Sequence, residues 1–478
     1  MNKYKCKICG YIHEAKELEE DFSCPICGVD KTMFEEIIEE TERIPISEDN
    51  VAIERIENKC INCGMCYKTC RNTTGIKYDS KKVNEPICVG CGQCKLTCPT
   101  GAIHEKYCYH IVQEFINNTD KTVVALTSPA VRVSLGEEFG LEAGTFVEGK
   151  MVSALRKLGF DYVFDTTFGA DLTTVEEATE LLQRIKENKN LPMFSSCCPA
   201  WVKFMEMYHP TKLNHLSTCK SPISMQVALI KDYFAKMKNL NRDDIITVAL
   251  TPCTAKKYEA AREELNDLDY VITTSELALY LKEENIEFEK LKDEAFDSIF
   301  GKGSSAGTIF GASGGVTESV SRTLYYFITG TNPSPSFFKL ESARGLDGIK
   351  EATLKIQDKE LNIAIINGLS NVYELLEKLE KGEKIKYDFI EVMNCKGGCA
   401  GGGGQPLSII SKLDEVREAR MNSLYKNDDS SLIKCSYNNK DIIKIYEDYL
   451  ENYGSHKAHE LLHTKYFDKS DLIKQENA

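Results

Sequence analysis

The sequence predicts an α/β protein whose last three-quarters form sheets flanked by helices, with two small cysteine-rich modules in front. From about residue 120, apolar runs such as TVVALTSP, IITVALTPC and LNIAIING alternate with helical patterns such as TTVEEATELLQRIKEN. This alternation is typical of sheets that are covered by helices on both faces. Before residue 120, closely spaced cysteines dominate the pattern. The 478 residues suffice for about three domains.

Composition and charge exclude several classes of protein. The net charge of −14 argues against a nucleic-acid-binding surface, which is normally basic. No apolar run reaches the roughly 18 residues that span a bilayer. The N-terminal segment MNKYKCKICGYIHE contains neither an apolar signal segment nor a twin-arginine pair. We therefore expect a cytoplasmic protein without nucleic-acid or membrane partners, in which clustered cysteines bind metals more often than they form disulfides.

The 20 cysteines are bunched along the chain. Four lie between residues 6 and 27, eight lie between residues 60 and 98, and the other eight are spread over the remainder. Between the first two groups, the acidic stretch EEIIEETER is typical of a solvated linker. We expect three units, which cover residues 1–42, 50–115 and 120–478.

The first unit contains two cysteine pairs, Cys6-x-x-Cys9 and Cys24-x-x-Cys27, separated by a 14-residue loop. Four thiolates at this spacing form a tetrahedral site that suits iron or zinc. The unit resembles the short rubredoxin-like module, and the trailing segment KTMF fits that resemblance. The resemblance favours a mononuclear iron, and a structural zinc site is the alternative.

The second unit repeats one cysteine pattern, and the second copy is followed by Pro99. The repeated spacing is typical of bacterial two-cluster ferredoxins, in which the fourth cysteine of each run binds the other cluster. We therefore expect two [4Fe–4S] clusters. The first would use Cys60, Cys63, Cys66 and Cys98, and the second would use Cys88, Cys91, Cys94 and Cys70.

In the third unit, several cysteines directly follow predicted strands. They lie in the segments SSCCPAW at 195–201, TPCTAKKYE at 251–259 and EVMNCKGGC at 391–399. In open α/β sheets, ligands bind beyond the carboxyl ends of the strands. We therefore expect the chemistry of this unit where these segments meet.

These segments resemble, in order and separation, the three signature segments of [FeFe]-hydrogenases. The resemblance continues through LTSPAVR at 126–132, GTIFGASGGV at 307–316 and the closing SHKAHELLHTKY. It covers essentially all of residues 50–478. It implies a catalytic domain of two doubly wound α/β lobes with a small-subunit-like segment at about 415–478. The implied cofactor is the H-cluster, a [4Fe–4S] cubane linked to a diiron unit with CO, CN⁻ and azadithiolate ligands.

Carried over position by position, the family pattern assigns residues to this cofactor. The implied cubane ligands are Cys198, Cys253, Cys395 and Cys399, of which Cys399 would bridge to the diiron unit. Lys256 would donate a hydrogen bond to a cyanide ligand. The implied pocket around the diiron unit consists of Pro129, Ala130, Thr251, Lys256, Phe310, Gly311 and Met393.

The same resemblance implies a proton path that begins at Cys197, the cysteine left without a metal. On the predicted helix over 174–189, two glutamates and an arginine at positions i, i+3 and i+7 share one face. The alternative is a capping box at Thr174-x-x-Glu177 with the remaining charges in solvent. The implied path is Cys197, Glu177, Ser217, Glu180 and Arg184.

Three residues differ from those that are usual in the family. Thr251 stands where methionine is usual, Ile223 where glutamine is common, and Asn394 where alanine is usual. We expect these differences to affect catalytic bias and oxygen sensitivity more than they affect the assignment to the family.

The resemblance implies a hydrogenase that catalyses H2 ⇌ 2 H⁺ + 2 e⁻ by heterolytic cleavage at the diiron site, with electron transfer through [4Fe–4S] clusters. Implied partners are ferredoxin or rubredoxin-type redox proteins, a peroxide-reducing diiron protein as an electron acceptor, and maturation proteins. The alternatives are a hydrogen sensor and a non-catalytic iron–sulfur assembly or electron-transfer homologue. Sensors usually lack the relay cysteine, and assembly homologues lack the diiron pocket.

Overall fold

The computed structural model describes residues 2–9, 11–15, 18–36, 43–76, 87–300, 302–334, 337 and 340–474. The strands are β1 Asn2–Cys6, β2 Ile12–Ala15, β3 Phe34–Glu36, β4 Ile53–Arg55, β5 Ile103–Glu105, β6 Thr122–Thr127, β7 Tyr162–Asp165, β8 Met193–Phe194, β9 Ile245–Thr251, β10 Tyr270–Thr273, β11 Ile349–Ile356, β12 Lys359–Asn367 and β13 Phe389–Met393. The helices are α1 Met65–Thr74, α2 Gln93–Leu96, α3 Tyr109–Asn118, α4 Glu148–Leu158, α5 Thr166–Glu187, α6 Pro199–Tyr208, α7 Pro222–Leu229, α8 Ala235–Lys238, α9 Lys256–Ala260, α10 Thr274–Glu283, α11 Ser305–Ile309, α12 Gly315–Thr329, α13 Tyr373–Glu380, α14 Leu413–Ser430, α15 Lys440–Ile445, α16 His456–Leu462 and α17 Asp471–Lys474.

The first large sheet has the strand order β10-β9-β6-β7, and all four strands are parallel. The side chains of strand β6 show that the sheet is buried on both faces. Val124 and Leu126 pack into one apolar cluster, whereas Val123 and Ala125 pack into another on the opposite face. Successive side chains of a strand point to opposite faces, so a continuous apolar run needs cover on both sides.

The second large sheet has the order β11-β12-β13-β8. Strands β12, β13 and β8 are parallel, and β11 joins β12 as an antiparallel edge strand. Ala364 and Ile366 pack on one face and Ile363 on the other, so this sheet is also buried on both faces. The predicted α/β class is confirmed. The sequence interpretation missed β11, whose residues alternate between exposed and buried positions because an edge strand is only partly covered.

Helix α5 begins earlier than predicted. Asp165 at the end of β7 accepts a hydrogen bond from the Thr167 backbone N–H at 2.9 Å and thereby caps the helix. Thr174 therefore lies in the helix interior, where its hydroxyl donates to the Ala170 carbonyl oxygen at 2.8 Å. The alternative interpretation of Thr174 as the start of a capping box is wrong, because the helix has already run two turns at that point.

The cysteine-rich regions form small sheets of their own. Strands β2, β1 and β3 make an antiparallel sheet, and β4 pairs with β5 beside helices α1 and α2. Among the described residues, no helix combines the length and the apolarity that crossing a membrane requires.

A glycine run lets the α2 region approach the large lobes closely. A methyl group on Gly403 would lie 2.2 Å from the Cys91 carbonyl oxygen, so no side chain fits there. Gln93 donates to the Gly401 carbonyl oxygen at 2.8 Å, and Thr254 donates to the Gly90 carbonyl oxygen at 2.6 Å. The cysteines of the α2 region are thus held against the segments that follow β9 and β13.

Candidate functional site

The segments that follow β8, β9 and β13 meet around one cavity between the two large sheets. This is the location that the carboxyl ends of parallel strands favour. Mainly apolar side chains line the cavity, and five cysteines join them. These cysteines are Cys197, Cys198, Cys253, Cys395 and Cys399.

A tight turn after β13 brings two of these thiols to the same cavity. Cys395 follows the strand by two residues, and Gly397 and Gly398 then adopt φ angles of +84° and +73°. These left-handed conformations suit glycine because it has no Cβ atom. The chain consequently doubles back, and Cys399 faces the cavity from a single 3-10 turn.

The four cysteines predicted to hold a cubane are chemically suited to a metal cluster. Burial, followed by the charge of the neighbouring Cys198, raises the pKa of Cys399 to about 12. The pKa of Cys395 is raised by burial and then by the charges of Cys253, Cys91, Cys198 and Cys399. Four thiolates in one apolar cavity therefore need a strongly cationic partner, which an iron–sulfur cluster supplies. The donor set fits the predicted cluster.

Lys256 lines the same cavity at the start of α9 and is 6% exposed. Its ammonium group donates to both carboxylate oxygens of Glu259, at 2.9 and 2.7 Å. The hydroxyl groups of Ser221 and Ser224 donate to the same carboxylate at 2.5 and 2.8 Å. A buried charge needs such partners, and here they orient Lys256 toward the cavity. The sequence interpretation missed Glu259, although its i+3 spacing from Lys256 was a usable signal.

Most of the other predicted pocket residues also line this cavity. They are Pro129, Thr251, Phe310, Gly311 and Met393. Ala130 is fully buried next to Pro129 but does not line the cavity. Ile223 and Asn394, which differ from the residues usual in the family, do line it. A methyl group on Gly311 would meet the Leu424 side chain at 2.8 Å, so α14 helps to shape this wall.

The predicted proton path begins at the cavity wall. Burial, followed by the charge of Glu177, raises the pKa of the Cys197 thiol well above its ordinary value, so the thiol keeps its proton. Burial also raises the pKa of Glu177 to about 8, with the charge of Glu180 adding to the shift and a hydrogen bond from Ser217 opposing it. Among the described residues, Glu177 Oε2 is buried without a hydrogen-bond partner. Such a carboxyl group can take up and release protons near neutral pH.

The outer members of the predicted path form a connected network. Ser217 donates its hydroxyl proton to Glu180 Oε2 at 3.1 Å. Arg184 donates to Glu180 Oε1 through Nη2 at 2.6 Å and through Nε at 3.1 Å. The structure therefore brings Glu180 and Arg184 together on α5, as the i, i+3, i+7 spacing indicated, and it places Ser217 beside them, as the resemblance implied.

The eight cysteines of the second unit fall into two groups. Cys60, Cys63, Cys66 and Cys98 line one cavity. The second group surrounds Cys94, whose pKa is raised by burial and then by the charges of Cys91, Cys88, Cys70 and Cys66. The structure therefore brings the first predicted set together around one cavity, and it places the other three members of the second set near Cys94.

Two side chains that the sequence interpretation did not assign to the site connect the α2 region to the large cavity. Gln93 donates to the Cys395 sulfur at 3.2 Å. The Asn394 amide donates to the Cys395 sulfur at 3.9 Å and also hydrogen bonds with the Cys91 thiol. Both residues are next to a cysteine in the sequence, but only the fold reveals that they lie between two groups of cysteines.

The four cysteines of the first unit converge separately. Their sulfurs all lie within 4.8 Å of one another, with Cys6 3.5 Å from Cys27 and Cys9 3.5 Å from Cys24. A tetrahedron with metal–sulfur bonds of about 2.3 Å has sulfur–sulfur edges of roughly 3.8 Å, so the group fits one metal ion. Cys6 and Cys24 are buried, whereas Cys9 and Cys27 are exposed.

Models of four protein families match the chain. The iron only hydrogenase large subunit, C-terminal domain, matches residues 121–403, which is more than half of the chain. The iron hydrogenase small subunit matches 414–469, the rubredoxin-like domain of rubrerythrin matches 4–35, and a 4Fe-4S binding domain matches 81–104. Iron–sulfur binding and a four-cysteine site are therefore family features of this chain.

Individual relatives agree with the family models. The chain is 42% identical over 450 residues to the NADP-reducing hydrogenase subunit HndD of Solidesulfovibrio fructosivorans, covering 88% of this chain and 76% of the relative. It is 41% identical over 450 residues to iron hydrogenase 1 of Clostridium pasteurianum, covering 90% and 78%. A solved structure of HydA(deltaEFG), described in connection with stepwise [FeFe]-hydrogenase H-cluster assembly, matches with a TM-score of 0.66 and 37% identity over 75% of this chain and 98% of that chain. The predicted family is confirmed, and the chain belongs to the [FeFe]-hydrogenase family of oxidoreductases.

Proposed function

We propose that this chain catalyses the reversible reaction H2 ⇌ 2 H⁺ + 2 e⁻. The observation that carries the proposal is the cavity itself, in which an unligated Cys197 stands beside the four candidate cubane ligands and the buried Lys256. An electron-transfer protein has no need of a fifth thiol at this place, whereas a proton-handling catalyst does.

Within this proposal, Cys198, Cys253, Cys395 and Cys399 hold the cubane of the H-cluster. When bound, the diiron unit supplies the heterolytic cleavage and formation of H2. Lys256 offers a fixed positive charge to its anionic ligands, held in place by Glu259. The mainly apolar walls exclude water from the reacting centre.

The proposed proton path begins at two groups whose pKa values are raised, Cys197 and Glu177. The Cys197 thiol lies next to the cavity, and its pKa is raised by burial. Glu177 comes next, because burial raises its pKa to about 8 and leaves one oxygen without a described partner. Ser217 hydrogen bonds with Glu177 and donates to Glu180, and so connects the two carboxyl groups.

The infrared spectrum of the matured protein tests this function. We expect bands from CO and CN⁻, together with H2 evolution from a small reductant, because the cavity fits the H-cluster. An assembly or electron-transfer homologue would show the [4Fe–4S] signals alone. A matured protein with the bands but without H2 turnover would contradict the proposal and favour a sensor.

Replacement of Glu177 tests the proton path. Glu177→Gln removes the proton carrier, so we expect H2 evolution to fall by roughly 100-fold or more at unchanged H-cluster content. Stability should change in the opposite direction. The raised pKa of about 8 means that the neutral carboxyl stabilises the fold fully below the ordinary pKa of 4.5 and loses that contribution as the pH rises through 8.

The permanently neutral variant should therefore gain in unfolding temperature relative to the unmodified protein between pH 5 and pH 8. The matched control is Glu187→Gln, an exposed position on the same helix, which should change neither property. A residue with only a structural role would lose activity and stability together, and that outcome would contradict the path.

The proposed electron path leaves the cavity from Cys395 toward Cys91, whose charge raises the pKa of Cys395. These two cysteines belong to different predicted clusters, and the Asn394 amide hydrogen bonds with both sulfurs. Hydrogen bonds to cluster sulfurs stabilise the reduced state and raise the reduction potential. Gln93 adds a further donor on the Cys395 side.

Asn394→Ala removes these donors and restores the residue that is usual in the family. We expect the reduction potentials of both neighbouring clusters to fall by roughly 20–60 mV, the equivalent of one hydrogen bond each in a one-electron couple. A redox titration followed by electron paramagnetic resonance measures the shift. Asn422→Ala, at an exposed position of α14, is the control, and equal potentials in both variants would contradict the electron path.

The four-cysteine site of the first unit is a proposed exit for electrons. Its exposed pair, Cys9 and Cys27, offers a redox partner direct access to the metal. A single iron with four thiolates generally has a higher potential than ferredoxin clusters, so electrons from H2 run downhill to it. The proposed acceptor is a rubredoxin-type protein or a peroxide-reducing diiron protein.

Cys9→Ala should release the metal and leave H2-dependent reduction of a viologen dye intact, because the dye takes electrons from other clusters. Reduction of a rubredoxin-type acceptor should lose most of its rate. Metal analysis and the two assays measure this, with Cys108→Ala as a control outside every predicted metal set. Unchanged rates with protein acceptors, or zinc in the native site, would refute the proposal that electrons leave through this site.

A further inference from the structure

Arg184 cannot carry protons beyond Glu180. Its guanidinium group donates two hydrogen bonds to Glu180 Oε1. A guanidinium group stays protonated in proteins and offers no acceptor, so it cannot take a proton from the carboxyl group. Its remaining hydrogen bonds, 2.7–3.3 Å long, go to the backbone carbonyl oxygens of Leu216, Asn190, Asn214 and His215. Arg184 therefore positions Glu180, and the path needs another outlet.

The other oxygen of Glu180 has two hydroxyl neighbours. Ser217, on the side of Glu177, lies 3.1 Å from Glu180 Oε2, and Thr218 Oγ1 lies 3.1 Å from the same atom. The backbone N–H of Thr218 donates to this oxygen at 2.9 Å. A proton that reaches Oε2 through Ser217 therefore finds the Thr218 hydroxyl as the next group.

Thr218 in turn reaches a histidine at the end of α16. Its Oγ1 lies 2.7 Å from His463 Nδ1, and His463 Nε2 lies 3.1 Å from Glu176 Oε2. Two backbone hydrogen bonds hold the two segments together. The Lys220 N–H donates to the Leu462 carbonyl oxygen at 2.8 Å, and the Thr464 N–H donates to the Thr218 carbonyl oxygen at 2.8 Å. The contact therefore belongs to the packed fold.

The Thr218 hydroxyl has one proton and two possible acceptors. If it donates to Glu180, then His463 must donate from Nδ1 to the hydroxyl oxygen, and the imidazole is doubly protonated because Nε2 faces Glu176. If it donates to His463 Nδ1, the imidazole is neutral, and a protonated Glu180 can donate to the hydroxyl oxygen. The two arrangements are the two ends of one proton transfer.

We propose that Thr218 and His463 form the outer part of the proton path, between Glu180 and the protein surface. The proposal rests on the proposed hydrogenase function. In the outward direction, the O–H bond of protonated Glu180 breaks as a new O–H bond forms on Thr218 Oγ1. The original Thr218 O–H bond breaks as an N–H bond forms on His463 Nδ1. One proton moves from carboxyl to imidazole, no electrons are exchanged, and uptake is the reverse.

The charged groups around His463 suit this role. Glu176 faces His463 Nε2 from α5, and Glu180 faces Nδ1 through the Thr218 hydroxyl. Glu176 is itself held by the Tyr446 hydroxyl at 2.5 Å and by the Gly454 backbone N–H at 3.1 Å. A network in which every member is hydrogen-bonded is rigid, so its heavy atoms keep the distances that proton transfer needs.

His459 connects this network to solvent. It lies one helical turn before His463, its ring centroid is 4.0 Å from that of His463, and it is exposed. Burial lowers the pKa of His459, and the charges of His463 and His456 lower it further, against the opposing charges of Glu176 and Glu180. The exposed imidazole of His459 therefore offers a proton acceptor between His463 and solvent.

The same region could be mistaken for a metal site, since ligand atoms of Glu180, Cys219 and His463 lie within 4.8 Å of one another. Both ring nitrogens of His463 already have hydrogen-bond partners, and Arg184 already neutralises Glu180. The geometry therefore favours proton transfer over metal binding.

Variants of the matured holoenzyme test the outlet. Thr218→Val removes the hydroxyl, and His463→Gln keeps a hydrogen-bonding side chain that cannot titrate. We expect both to lower H2 evolution by roughly 10- to 100-fold at intact CO and CN⁻ bands, and to raise the solvent deuterium isotope effect as proton transfer becomes rate-limiting. Thr218→Ser should retain the rate and isotope effect of the unmodified enzyme. His110→Gln, at an exposed position in α3, is the matched histidine control.

Unchanged rates and isotope effects in Thr218→Val and His463→Gln would overturn the outlet and leave the hydrogenase function intact. If Thr218→Val fails to fold, His463→Gln decides by the same criterion. A loss of rate without a larger isotope effect, or an equal loss in Thr218→Ser, would show a structural role and would also overturn it. Absence of CO and CN⁻ bands or of H2 turnover in the unmodified enzyme would instead overturn the proposed function.

Discussion

The burial of five thiols in one mainly apolar cavity is the constraint on which the rest of the site depends. Charged sulfur is costly in such surroundings, and the raised pKa values of Cys399 and its neighbours express that cost. A bound metal cluster reverses the balance because it supplies positive charge to the thiolates. The contributing segments come from both large sheets, so cluster binding depends on the packing of the two lobes against each other.

Two buried cations near the cavity are each paired with a carboxylate, and Glu177 differs from them. Lys256 is matched by Glu259, and Arg184 is matched by Glu180. Pairs of this kind avoid the cost of an isolated buried charge. Glu177 instead keeps one oxygen without a described partner and has its pKa raised to about 8 by burial. Buried polar groups that lack hydrogen-bond partners are expected at sites where a protein performs chemistry.

The sequence sufficed for the cysteine sets and for most of the fold, for identifiable physical reasons. Cluster ligands must follow one another at short fixed spacings, so Cys60 to Cys98 could be grouped from the chain alone. The interior strands are continuous apolar runs, and such runs are visible in sequence. Helix α5 was predicted too short because its first turns, TTFGADLT, have no helical polarity pattern when both sides are buried.

Contacts between distant segments could not be predicted in this way. Glu259 was accessible through its spacing, but Asn394 and Thr218 are ordinary polar residues that gain their positions only from tertiary packing. His463 lies 283 positions after Glu180 and meets it through a single hydroxyl. The glycine at 403 has a consequence of a different kind. Because no side chain separates its backbone from the Cys91 carbonyl oxygen, Gly403 sets how closely the segment that carries Cys91 approaches the segment that carries Cys399. Any larger residue there would push these two cysteine-bearing segments apart.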